Sequence, residues 1–306
     1  MIKLYLHTST LKERMNKMKF GTGYAYWGTN WECDYIAMTK KVAEIGFDIL
    51  EIGADHLYHM SDKEILELKE TGNENGIEFT TNSGPSKEND FASEDLAVRE
   101  HGLKYFETVL QNMKKLGSKS LVGAIYSFWP TDFVNVDKEA AWERSIDYLQ
   151  KLSKTAEELD IECALEVLNR NETYILTDCE EAIQYVERVG SKKINILLDT
   201  YHMNIEEDNM YDAIRKAGNF LGHLHVGECN RKLPGMNHSI DWDEIGKALR
   251  EINYEKAVVM EPFLLKGGQV GRDIRVWRDL SNHATPQQLD QYIKDSLIYL
   301  KKCCLG

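Results

Sequence analysis

Residues 194–202 read Ile-Asn-Ile-Leu-Leu-Asp-Thr-Tyr-His: a short, mostly apolar run that closes on an acid and then a turn. A run of strand length with no alternating polar face suits a strand buried on both sides, as in a parallel sheet covered by helices. Seven other segments share this character: KFGTGYA (19–25), FDILEIG (47–53), IEFTTN (77–82), SLVGAI (120–125), IECALEVL (161–168), LGHLHVG (221–227) and AVVMEP (257–262). Gly, Asn, Asp or Pro bounds each of them. With 194–199 they make eight expected strands.

Helical patterns fill the intervals. Ser61 and Glu64 form a capping-box sequence at the start of ILELKETG, which is expected to stop near Gly72. Asp241 caps DWDEIGKALREI with Glu244 three residues on, and 136–159 and 179–189 carry apolar residues at three- and four-residue spacing. Strands alternating with helices imply a parallel sheet with right-handed crossovers, and eight such units close a (β/α)8 TIM barrel. No G-x-G-x-x-G follows the first strand, so the main support for a Rossmann fold is missing. The chain's 306 residues match one such domain of about 250 residues with additions. The expected barrel is 18–306. Residues 1–17 carry Lys3, Lys12, Arg14 and Lys17 without the apolar core of a signal peptide. They are read as a disordered leader or an upstream start, with a basic targeting arm as the alternative. The long polar stretches are 83–100 and 227–242, and the second, with Gly227, Pro234 and Gly235, is expected to be an active-site flap.

The net charge of −13 lacks the basic footprint of a nucleic-acid binder and disfavours anionic membranes and highly phosphorylated substrates. No apolar run reaches the length of a membrane span. Six cysteines without a C-x-x-C pair, including the adjacent Cys303 and Cys304, read as reduced thiols of a cytoplasmic protein.

In a barrel the C-terminal strand ends face the active site. There the last four strands place Glu166, Asp199, His225 and Glu261, separated by 33, 26 and 36 positions, each about one strand–loop–helix unit. Three carboxylates and an imidazole at one rim form an oxygen-rich site suited to Mn²⁺, with Co²⁺ or Mg²⁺ as further options. The competing reading makes these acids solvated loop residues or partners of Arg170 and Arg231. Four equivalent positions in successive apolar strands, where an acid is costly unless paired or ligated, favour the metal. His223 and His225 are read as pointing to opposite faces of their strand. His202 is placed on a loop, able to donate to a substrate hydroxyl or else simply at the surface. Glu206-Glu207-Asp208 reads as a helix N-terminal region. Tyr24, Tyr26, Trp27, Trp31, Phe128, Trp129 and Phe263 stand at strand ends, where aromatic rings can wall a polyol pocket as well as pack in the core.

The segments LEVLNR (165–170), LDTYHMNIEED (198–208), GHLHVGECNRKLPG (222–235), VVMEPF (258–263) and VWRDLSN (276–282) together resemble the D-tagatose 3-epimerase/D-psicose (D-allulose) 3-epimerase family of xylose-isomerase-like TIM barrels. The resemblance runs from about Met18 to Gly306. It implies that Glu166, Asp199, His225 and Glu261 bind the divalent metal, with His225 inside the barrel and His223 against the helices. It implies that Glu166 and Glu261 are the acid/base pair. Glu172, His202 and Arg231 would bind the ketose substrate, Trp129, Trp31 and Phe263 would line its pocket, and Ala124 would sit against the sugar. The implied reaction removes the C3 proton beside the C2 carbonyl, passes through a cis-enediolate and returns a proton to the other face. A homodimer or homotetramer is also implied. Gly23, Asn82 and Asn171 depart from the family pattern and are expected near the sugar's far end, leaving the preferred ketose open. The rivals are an aldose–ketose isomerase on the same barrel, an endonuclease IV-type barrel, which the acidic charge disfavours, and a non-catalytic sugar-binding barrel, which the intact ligand set disfavours.

Overall fold

A computed structural model describes residues 18–306, so the expected leader lies outside the described residues. Eight parallel strands close a barrel in sequence order: β1 (Lys19–Gly23), β2 (Ile49–Gly53), β3 (Glu78–Ser83), β4 (Ser120–Gly123), β5 (Glu162–Glu166), β6 (Ile194–Asp199), β7 (Leu221–Val226) and β8 (Ala257–Met260). All eight stand where the apolar runs predict them. Several end earlier than the runs do, because the last apolar residues turn out of the ladder to build the rim. Tyr24–Trp27, for example, is a 3₁₀ turn rather than the end of β1.

The helix starts follow their caps. Ser61 accepts from the Glu64 backbone N–H, and Glu64 answers with a 2.7 Å bond from the Ser61 N–H. That helix, Asp62–Asn75, runs past Gly72 and stops at Gly76, whose φ of +69° is left-handed. Gly72 is there for packing: a Cβ on it would lie 2.5 Å from the Phe79 ring. Asp241 likewise caps Trp242–Glu251. The stretch 83–100 is shorter as a loop than expected, since the helix Leu96–Leu116 already begins within it. Glu206 and Glu207 are not at a helix start. Glu206 ends the helix Thr200–Glu206 and binds Arg170, whereas Asn209 caps the next helix, Met210–Ala217. Glu207 instead accepts the Cys179 N–H at 2.7 Å, at the N-terminus of Cys179–Val189.

The main core lies between sheet and helices, and a small separate cluster, Val122, Ala164 and Leu197, fills the barrel. Residues two positions on point the same way, so Ala124, Glu166 and Asp199 form the next layer towards the C-terminal rim. One irregularity positions β7. Leu221 pairs with Ile196 and His223 with Leu197, so Gly222 is an extra residue bulged out of register. A Cβ on Gly222 would meet the Asn195 Cβ at 2.7 Å, which is why this position is glycine. The bulge resets the side-chain alternation and aligns His225 with Asp199. Among the described residues no helix is long and apolar enough to cross a membrane.

Candidate active site

Glu166 is the last residue of β5, Asp199 the last of β6, His225 lies one before the end of β7, and Glu261 follows β8. One potential ligand atom from each lies within 4.8 Å of all the others. Asp199 and His225 are fully buried, Glu166 nearly so, and Glu261 faces the cavity. Nδ1 of His225 stands 3.5 Å from Glu166 Oε1 and 3.7 Å from Glu261 Oε1, with no hydrogen bond of ordinary geometry. A buried nitrogen without a partner, facing carboxylates, is a donor set that fits a divalent cation better than it fits bare protein.

The electrostatics point the same way. Burial raises the Glu261 carboxyl to about 8, reinforced by Glu166 and Asp199 and opposed by His225 and Arg231. Burial also opposes ionisation of Asp199, but Arg231, His202 and His225 outweigh it and hold the group below the usual carboxylate range. His225 loses basicity to burial, yet the carboxylates of Glu51 and Glu261 carry it well above the ordinary histidine value. A nest of acids draws an extra proton to the place where a cation would supply its charge.

Arg231 lies on the 227–242 segment with φ +62° and reaches into the acids. Its Nη1 donates to Asp199 Oδ2 at 2.6 Å and to Glu261 Oε2 at 2.8 Å. The pairing of these acids with Arg231 is therefore real, but Arg170 takes no part and pairs with Glu206 at 2.6 Å. Segment 227–242 is pinned. Glu228, fully buried, accepts from Gly235 N–H, from Ser239 N–H and hydroxyl, and from Trp242 Nε1 at 2.6–3.0 Å.

A cavity of about 560 Å³ opens over this layer, and Trp31, Trp129, Phe263, Ala124, Glu172, His202 and Arg231 all line it. Trp129 Nε1 donates to Glu172 Oε2 at 2.8 Å, and Asn169 Nδ2 to Oε1 at 2.9 Å. Burial raises the Glu172 carboxyl, but His202, Arg231 and these donors keep it below its ordinary value. Trp31 is fixed by Asp273 at 2.9 Å and meets the Phe263 ring edge-on. His202 is buried on the helix Thr200–Glu206, not on a surface loop. Its Nδ1 accepts the Asn169 backbone N–H at 3.1 Å, and Nε2 lies 3.6 Å from Asp199. Tyr24 and Tyr26 reach the cavity wall, whereas Trp27 instead binds Asp290 at 2.6 Å.

Two further expectations need correction. His223 does not point to the helices: residues i and i+2 of a strand share a face, and both His223 and His225 are fully buried inside the barrel, 3.2 and 2.8 Å from Glu51. Asn82 is not at a distant end of the pocket but beside the acids, 3.2 Å from Glu51 and 3.4 Å from Glu261. Glu51 itself is absent from the sequence reading. The signal was present, since FDILEIG embeds an acid in an apolar run as IECALEVL, INILLD and AVVMEP do.

A barrel with acids converging at its C-terminal rim defines a class, and comparison with known proteins places the chain within it. Residues 39–281 match the xylose isomerase-like TIM barrel family model. The D-psicose 3-epimerase of Ruminiclostridium cellulolyticum is 46% identical over 281 residues, 92% of this chain and 96% of that protein. That of Agrobacterium fabrum is 43% identical over 92% of this chain and 98% of its own length. The crystal structure of D-psicose 3-epimerase with D-tagatose from Clostridium cellulolyticum H10 superposes with a TM-score of 0.92 at 44% identity, over 94% of this chain and 99% of that one. The chain belongs to the xylose isomerase-like TIM barrel family and, within it, to the D-psicose 3-epimerase family.

Proposed function

We propose that this single-domain barrel is a ketose 3-epimerase, an isomerase that interconverts free ketoses differing at C3, such as D-fructose and D-psicose or D-tagatose and D-sorbose. The observation that carries the reading is the convergence of Glu166 and Glu261 on one cavity, both beside His225 Nδ1, in a chain 43–46% identical to D-psicose 3-epimerases. One of the two carboxylates takes the C3 proton. The C–H electron pair becomes the C2–C3 double bond, and the C2 carbonyl oxygen takes up negative charge. The other, protonated, returns a proton to the opposite face, and the pair exchange roles in reverse. Sites that hold two carboxyl groups in unlike environments meet the need for one ionised and one protonated partner.

Glu166, Asp199, His225 and Glu261 would hold a divalent cation, with Mn²⁺ as the proposed metal and Co²⁺ or Mg²⁺ as alternatives. When bound, the cation supplies Lewis-acid stabilisation of charge developing on the sugar oxygens. Glu172, His202 and Arg231 supply hydrogen bonds to hydroxyls. Trp31, Trp129 and Phe263 exclude water and, with Ala124, pack on the sugar's C–H faces. We further propose a cytoplasmic homodimer or homotetramer.

Incubation with D-fructose and Mn²⁺, followed by chromatographic separation of the sugars, tests the reading. The expected product is psicose. Formation of an aldose without psicose would overturn it in favour of an aldose–ketose isomerase.

A further inference from the structure

Below the cation-holding layer, Glu51 occupies the middle of β2 at 2% exposure, and hydrogen bonds reach both of its carboxylate oxygens. Its Oε1 lies 2.8 Å from His225 Nε2 and 3.2 Å from Asn82 Nδ2. Its Oε2 accepts from Thr80 Oγ1 at 2.8 Å, and His223 Nε2 stands 3.2 Å away without hydrogen-bond geometry. Donors from β3 and β7 thus fill both oxygens and fix the carboxylate in place. In a neutral imidazole, as a ligating histidine must be, the nitrogen bound to a carboxylate carries the hydrogen, which leaves the ring's other nitrogen as the lone-pair donor. In His225 that other nitrogen is Nδ1, buried, without a hydrogen bond and 3.5 and 3.7 Å from Glu166 and Glu261.

We propose that Glu51 is a positioning residue: by accepting a hydrogen bond from His225 Nε2–H it turns Nδ1 towards Glu166, Asp199 and Glu261 and sets how tightly that group holds its cation. The proposal rests on the cation reading given above. Outer partners of this kind orient a ligating histidine and raise its basicity, and their loss costs about 10–100-fold in metal affinity. Glu51, His223 and His225 also stand close enough together to suggest a cation site of their own. Thr80 and Asn82, however, already donate to the lone pairs such a site would need, and His225 would have to ligate through both nitrogens.

The test uses the full chain stripped of metal. Glu51→Gln keeps the shape and removes the charge. Thr80→Val removes one support of Glu51 without touching His225, and it carries the test if circular dichroism shows the first variant unfolded. Mn²⁺ and Co²⁺ affinity are measured by competition with a chromogenic chelator, and the visible spectrum of the Co²⁺ form reports the ligand field directly. The wild type is expected to bind one ion per chain. Glu51→Gln should bind about 10–100-fold more weakly with shifted Co²⁺ bands, and Thr80→Val should fall between the two. Wild-type affinity and spectrum in a folded variant would overturn the positioning role. So would two ions per wild-type chain with one lost in Glu51→Gln, which would make Glu51 a ligand. If the wild type binds no divalent cation, the cation reading fails and this inference with it.

Discussion

A carboxylate buried among apolar strands survives folding only if something of opposite sign or a set of donors meets it. Asp199 and Glu261 have Arg231, at 2.6 and 2.8 Å, and Glu51 has three hydrogen-bonding partners, Thr80, Asn82 and His225. The exchange of a carboxylate for an isosteric amide therefore separates chemistry from architecture. Glu166→Gln and Glu261→Gln should each lose about 100- to 10,000-fold or more in epimerisation rate, the scale of acid/base assistance. Their thermal midpoints should stay within a few degrees of the parent, because each change also removes like-charge crowding. Single-turnover rates beside thermal melts check this, and full activity in either variant would refute the two-carboxylate mechanism. Glu166, Asp199 and Glu261 stood out in the sequence because acids closing apolar runs at matching unit positions break the hydrophobic rule in phase, whereas His225 was separated from His223 only by the family resemblance. The inward aim of His223 was misread although strand periodicity dictates it, and the contact between Asn82 and Glu261 spans 179 positions that no local pattern connects.

At the scale of elements, the strands were legible because burial on both faces writes itself as short apolar runs, and the helix starts because capping residues are chemically distinctive. Strand ends and the β7 bulge were not legible. Whether a terminal apolar residue stays in the ladder depends on its neighbouring strand, and a bulge exists only relative to the register of a partner. Gly222 is the residue that bulge requires, with an added Cβ 2.7 Å from Asn195 and 3.3 Å from Ala164. Gly222→Ala should cost about 1–3 kcal/mol, the usual penalty for overpacking. It should also lower activity by shifting His225 away from Asp199. Denaturant melts with parallel rate measurements check this, and an unperturbed variant would show that β7 can reset its register without the glycine.

For the molecule as a whole, β5, β6 and the residue after β8 bring three mutually repelling acids to a common point beside His225 of β7, so a cation held there would act as a cross-brace between them. A ligand that binds only the folded state stabilises it by mass action, by about 2.7 kcal/mol at 100 times its dissociation constant. Addition of Mn²⁺ to the stripped protein should raise its melting temperature in a concentration-dependent way, and a chelator should reverse the gain. A melt insensitive to every divalent ion tested would remove the cation from the architecture. The pinned segment 227–242 has a different consequence. Glu228 ties both limbs of that segment to buried donors, and Arg231 is held against Asp199 between them. Little loop ordering remains for the encounter to complete on this side of the cavity. If Arg231 binds the ketose as proposed, discrimination among ketoses would fall to how each escapes a ready-made surface, expressed in residence time rather than in a gating step.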